Sequence, residues 1–369
     1  MKSLNIQMVD LKTQYLKIKG EIDSAIQEVI ESTQFIQGKT VGEFECKAAG
    51  YLGCKYTIGC ASGTDALQIA MMALDIKPGD EIITSPFTFV ATAETIALLG
   101  AKPVYVDIDE KTYNIDVNKI EEEITSKTKA IIPVHLYGLP CEMEKLTELA
   151  NDFKLKIIED SAQAFGTEYK GKKVGTIGDI GCISFFPSKN LGAFGDAGML
   201  STNNEELGVK IKMITVHGSK KKYHNEILGV NSRLDTIQAA ILKVKLKYIE
   251  DYHKARIEAA KKYSQLLDDS IAKPYVPAHA KHIYHQYSIR VKNRDNLQQF
   301  LKDNNIPSMI YYPIPLHLQL PYKDGYRQGD FPVSELAAKE IISLPMHTEL
   351  TEEQITYIAD KVNEFVRKN

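Results

Sequence analysis

The chain has 369 residues, 44% of them hydrophobic and 25% charged, a balance that excludes the fibrous and disordered classes. At about 150 residues per domain, this length predicts two or three domains. The 45 Lys and Arg against 48 Asp and Glu leave a formal charge of −3, which argues against a dedicated nucleic-acid binder.

The first predicted element is a helix in which Ile18, Ile22, Ala25, Ile26, Val29 and Ile30 recur at helical spacing, with Gly38 and Gly42 punctuating its exit. Short runs rich in Val and Ile then alternate with amphipathic stretches. Strands are predicted over residues 56–59, 81–84, 103–106, 130–134 and 156–159. The intervening helical patterns cover residues 64–74, 91–99, 117–123 and 143–153. This alternation predicts an α/β fold with a mostly parallel sheet covered on both faces. Past Gly178, residues 180–186 and 197–201 read as strands joined by a Gly-rich loop, and residues 234–263 as one long helix. Beyond Lys273 the composition shifts. Residues 287–291 are strand-like, 296–304 helical and 311–321 rich in Tyr and Pro, and a last helix covers 352–367. The expected division is a large α/β domain over residues 1–250 and a smaller α+β domain over 251–369.

Three constellations can carry chemistry. Ala61-Ser62-Gly63-Thr64-Asp65 follows a strand and opens a helix, where free backbone amides and hydroxyls suit an anion; an ordinary Ser/Thr cap gives the same pattern. Glu159-Asp160-Ser161-Ala162-Gln163 lies at the carboxyl end of a strand, where open α/β sheets bind ligands. Ser184-Phe185-Phe186-Pro187-Ser188-Lys189 places one lysine after an apolar strand and before Gly192, Gly195 and Gly198. Partial desolvation there would lower its pKa and make it an amine nucleophile. Each pattern alone has a structural reading as a cap or a loop. In this order they match the needs of pyridoxal phosphate: a helix N-terminus for its phosphate, a carboxylate for its ring nitrogen and a lysine for its aldehyde.

The sequence resembles the StrS/DegT-type nucleotide-sugar aminotransferases over nearly its whole length. The resemblance rests on Ser62-Gly63-Thr64-Asp65-Ala66-Leu67, Pro86-Phe87-Thr88-Phe89-Val90-Ala91-Thr92, Gly100-Ala101-Lys102-Pro103, Pro133-Val134-His135-Leu136-Tyr137-Gly138, Glu159-Asp160, Ser184-Phe185 and Gly229-Val230-Asn231-Ser232-Arg233-Leu234-Asp235. It is nearest to enzymes that aminate C3 of UDP-linked 3-keto-N-acetyl sugars or their uronic acids, for surface polysaccharide or lipid A synthesis. It implies a fold-type I, aspartate-aminotransferase-like large domain, L-glutamate as amino donor and a homodimer with shared active sites. By motif, it implies that Lys189 carries the cofactor and Asp160 pairs with its ring nitrogen. Gln163 meets the phenolic oxygen, Ser62, Gly63, Thr64 and Ser184 surround the phosphate, and Phe89 stacks on the ring. Asn231 and Arg233 reach the cofactor phosphate and the substrate from the neighbouring subunit, and Tyr311 and Tyr312 lie near the sugar. Tyr311 departs from the histidine of the nearest group. Relatives with His in place of the lysine dehydrate; Lys189 places this chain with the transaminases.

Rival readings are a transaminase for a dTDP-linked 3-keto-6-deoxyhexose, one for a 4-keto sugar, a ligand-sensing regulator on the same fold, and a nicotinamide-dependent dehydrogenase. No G-x-G-x-x-G opens the first helix of the alternating region, which counts against the last. His279, His282 and His285 recur every three residues, which alternates sides in an extended segment, so no metal is expected. Lys220-Lys221-Lys222 reads as a solvated loop, with a nucleotide diphosphate as the rival. Five cysteines without a C-x-x-C pair, no apolar run of about 18 residues and no signal-like N-terminus predict a reduced, cytoplasmic chain that needs no membrane.

Overall fold

The computed structural model describes residues 4–323 and 325–368. Its centre is a seven-stranded sheet of β1 (Tyr56–Cys60), β2 (Glu81–Thr84), β3 (Lys102–Tyr105), β4 (Thr128–Ile131), β5 (Lys156–Asp160), β6 (Ile180–Ser184) and β7 (Gly198–Thr202). The spatial order is β1-β7-β6-β5-β4-β2-β3. Pairs from β6 through β3 are parallel, whereas β7 runs against both β6 and β1. The connection from β6 to β7, residues 185–197, holds no helix, and the chain reverses there into an antiparallel neighbour. That loop carries Lys189.

Successive strand residues point to opposite faces, and both faces are buried. Ile82, Ile158, Cys182 and Leu200 pack under helices α4 (Gly63–Ala73), α5 (Ala91–Leu98) and α7 (Glu205–Ile214). Their neighbours Ile83 and Ile157 meet α6 (Met143–Phe153) on the other side. Ile183 and Met199 meet α3 (Lys39–Leu52) and α8 (Thr236–Lys245) there. A second core joins α9 (Ile249–Leu266), α10 (Arg294–Asp303), α12 (Glu352–Lys368) and the antiparallel pair β8 (Tyr287–Arg290) and β9 (Ile341–Leu344). Ile6 also packs into it.

Two expectations differ from the fold. The helix expected over 117–123 is a pair of single 3₁₀ turns, Val117–Lys119 and Glu121–Glu123. Within it only Ile120 is buried, too little apolar surface to hold a longer helix on the core. The long helix expected over 234–263 is α8 and α9 interrupted by a 3₁₀ turn at Leu246–Tyr248. Its apolar contacts pass from the core beneath the sheet, at Ala239 and Leu242, to the C-terminal core, at Ala260 and Tyr263. The sequence reading also missed α3, α7, β9 and α11 (Pro332–Glu340). Gly38, read as punctuation after a helix, is instead the N-cap of α3.

Candidate active site

The ends of β5, β6 and β7 and the start of α4 meet at one cavity of about 420 Å³. Ser62 caps α4, its Oγ accepting from the Asp65 amide at 3.0 Å. The first-turn amides of Gly63 and Thr64 have no intrahelical acceptor and remain available to an anion. Residue 63 must be glycine for this approach: a Cβ there would lie 2.6 Å from Ser184 Cβ. Gly198 is constrained in the same way, since its Cβ would lie 2.2 Å from the Ser62 carbonyl oxygen. Ser62, Gly63, Thr64 and Ser184 therefore form one corner of the cavity.

Asp160 closes the floor and is 5% exposed. Its Oδ2 accepts from Thr92 Oγ1 at 2.9 Å, and its Oδ1 from the Ala162 amide at 3.2 Å. Burial pushes its carboxyl pKa up, while these hydrogen bonds and the charge of Lys189 hold it down. A carboxylate so placed is stabilised by a cationic ligand group. Lys189 lines the same cavity from the β6–β7 loop, its amide donating to the Phe186 carbonyl at 2.8 Å. Desolvation pushes the Lys189 amine down to about 8, against the upward pull of Asp160. An amine with its pKa lowered this way has a larger unprotonated fraction near neutral pH than an ordinary lysine, and the unprotonated form is the nucleophile.

Phe89, Gln163, Tyr311 and Tyr312 also line this cavity. Phe89 is 52% exposed, and its ring centre lies 6.2 Å from that of Tyr312. Gln163 accepts from the Tyr137 amide at 2.7 Å and donates to the Tyr312 hydroxyl at 3.0 Å. Asn231 and Arg233 do not line this cavity. Asn231 is exposed and Arg233 half-exposed, on the segment that leads into α8. The sequence reading missed Thr88, Thr92 and His285 as site residues. Thr88 and Thr92 stand four apart, with hydroxyls 3.2 Å from each other, at the start of α5; that spacing was their signal. His285 gave no separate signal within its histidine-rich stretch.

The adjacent acids diverge. Glu159 is fully buried and points away from Asp160. It accepts from the amides of Gly175, Ile177 and Gly178, each at 2.7 Å, and faces His135 Nε2 at 3.0 Å. His135 Nδ1 accepts from the Cys141 amide, so Nε2 carries the proton and the histidine is a structural donor. The three spaced histidines also separate: His279 pairs with Glu142, His282 stacks on Tyr284, and His285 faces the cavity. Lys220, Lys221 and Lys222 are exposed, the first two on a short hairpin strand.

The DegT/DnrJ/EryC1/StrS aminotransferase family profile matches residues 16–363. A pleiotropic regulatory protein of Geobacillus stearothermophilus is 49% identical over 99% of each chain. The UDP-2-acetamido-2-deoxy-3-oxo-D-glucuronate aminotransferase of Pseudomonas aeruginosa is 46% identical, over 96% of this chain and 98% of its own. Among solved structures, NtdA from Bacillus subtilis with its cofactor PMP bound superimposes with a TM-score of 0.88 at 34% identity, over 95% of this chain and 82% of the other. A lysine, a buried carboxylate and a helix N-terminus around one cavity, together with similarity over nearly the whole length, lead to one conclusion: the chain belongs to the DegT/DnrJ/EryC1/StrS aminotransferase family.

Proposed function

We propose that this protein transfers an amino group from L-glutamate to C3 of a UDP-linked 2-acetamido-3-keto hexose, as a cytoplasmic homodimer dependent on pyridoxal phosphate. The observation that carries this reading is the convergence of Lys189, Asp160 and the α4 N-terminus on one cavity. Its volume of about 420 Å³ falls within the range of roughly 300–1,000 Å³ usual for cofactor and ligand sites. Pyridoxal phosphate supplies an aldehyde that carries the amino group and a protonated ring that accepts electron density.

The chain's own residues fit that group. The α4 amides with Ser62, Thr64 and Ser184 would hold the phosphate, and Gly63 gives them close approach. Asp160 would keep the ring nitrogen protonated, its orientation fixed by Thr92 and the Ala162 amide. Phe89 would cover a ring face, and Gln163 would lie beside the phenolic oxygen. Lys189 would carry the cofactor and, once free, take and return the proton of the donor carbon through Nζ. Asn231 and Arg233 lie outside their own cavity, which supports assigning them to the partner's site. The large domain would then hold the cofactor, and residues 251–369 would contribute Tyr311 and Tyr312 to the sugar side.

Tyr311 offers a neutral hydroxyl where the nearest group carries an imidazole that can become cationic. A site without that charge favours the neutral 3-keto-N-acetylglucosamine over its uronic acid. Competition between these two UDP-linked ketones, with L-glutamate as donor, tests the reading. Preferred amination of the neutral sugar is expected. A strong preference for the uronate would overturn the choice of sugar, and turnover only of 4-keto or dTDP-linked sugars would overturn the substrate class.

A further inference from the structure

The hydrogen bonds around Gln163 fix the polarity of a neighbouring hydroxyl. The Tyr137 backbone amide can only donate, so the Gln163 atom 2.7 Å from it must be the amide oxygen. The nitrogen of Gln163 must then be the atom facing Tyr312 Oη at 3.0 Å, and it can only donate. Tyr312 Oη thus accepts from Gln163, and its own proton has no acceptor among the described residues. This proton belongs to a hydroxyl on the cavity wall. The arrangement is held from behind: buried Asn114 accepts from the Leu136 amide at 3.0 Å and donates to the Leu139 and Pro140 carbonyls. That pins the turn presenting the Tyr137 amide. Tyr312 is half-buried, and its hydroxyl proton is free to meet an oxygen of a ligand that fills the cavity.

We propose that Tyr312 is a catalytic residue that donates a hydrogen bond to an oxygen of the bound ligand, and that Gln163 is the positioning residue that sets this polarity. The proposal rests on the aminotransferase reading and deepens it. The acceptor is a carbonyl or phenolate oxygen, supplied by the keto sugar or by the phenolic oxygen of the cofactor. Burial pushes the Tyr312 pKa above the usual tyrosine range, so the donor keeps its proton at neutral pH.

The test uses the holoenzyme with Tyr312→Phe, Gln163→Glu and the double variant. Tyr312→Phe removes the donor. Gln163→Glu keeps the shape but places a carboxylate oxygen where the amide nitrogen stood, which turns the Tyr312 proton away from the cavity. Two quantities are read: the pH midpoint of the visible cofactor band without sugar, and kcat/KM for the keto sugar. Each single variant is expected to lose roughly 10- to 100-fold in kcat/KM, the effect of one well-placed hydrogen bond. The double variant should lose no more than the worse single one. A shifted band midpoint in Tyr312→Phe would place the acceptor on the cofactor; an unshifted band with reduced kcat/KM would place it on the sugar. Wild-type behaviour of Tyr312→Phe in both measurements would overturn the donor role. Full activity of Gln163→Glu beside an impaired Tyr312→Phe would overturn the positioning role. Absence of any cofactor band in the unsubstituted protein would instead sink the aminotransferase reading, and this proposal with it.

Discussion

Glu159 and Asp160 are neighbours in sequence with opposite tasks, because a strand sends successive side chains to opposite faces. Asp160 meets the cavity, whereas Glu159 satisfies three loop amides and His135. The expected consequences differ accordingly. Asp160→Asn keeps the shape and removes the charge, so turnover should fall by about 100-fold or more, a few kcal/mol of barrier, with little change in Tm. Glu159→Ala leaves several buried donors unpaired and should destabilise the fold by about 3 kcal/mol or more. Steady-state kinetics and chemical denaturation of both variants separate the two roles, and loss of stability rather than turnover in Asp160→Asn would refute its assignment. Asp160 and Lys189 were legible in the sequence because each follows an apolar strand, the edge at which open sheets bind ligands. The Tyr137 amide and Asn114 were not, since they are brought to Gln163 by a turn and not by spacing along the chain.

At the scale of elements, the α4 N-terminus packs directly on the ends of β6 and β7, and two glycines make this contact possible. Gly63→Ala would place a methyl group 2.6 Å from Ser184 Cβ, so helix and strand would have to separate. We expect cofactor retention in Gly63→Ala to weaken by about 10-fold or more, since a displacement near 1 Å degrades a positioned site. Dialysis against buffer with absorbance of the retained cofactor measures this; unchanged retention would mean that the corner does not bind the phosphate. The alternating strands and helices from β1 to β5 were readable, apart from residues 117–123, because buried parallel strands are short Val/Ile-rich runs. Helix α3 was hidden by Gly42 and Gly50 inside its pattern, and α11 by a buried face that includes polar Ser334 and Glu335. The 3₁₀ turn between α8 and α9 left no sequence signal, because the apolar spacing continues across it while the packing partner changes.

For the whole molecule, the cavity lacks Asn231 and Arg233, although the resemblance to the family implies a role for both. Sites shared across the proposed homodimer would account for this. Lys189→Ala and Arg233→Ala chains should each be inactive, and mixing them should restore part of the activity. In the mixed dimer one site carries both defects and the other neither. Mixed dimers that form and stay inactive would refute the sharing.

The account stands on Lys189 as the residue that carries the cofactor, and borohydride reduction of the holoenzyme followed by peptide mapping tests it most directly. The purified protein should be yellow, and reduction should fix the cofactor to the peptide that contains Lys189, with none fixed in Lys189→Ala. Fixation on another lysine, or no fixation at all, would contradict the account.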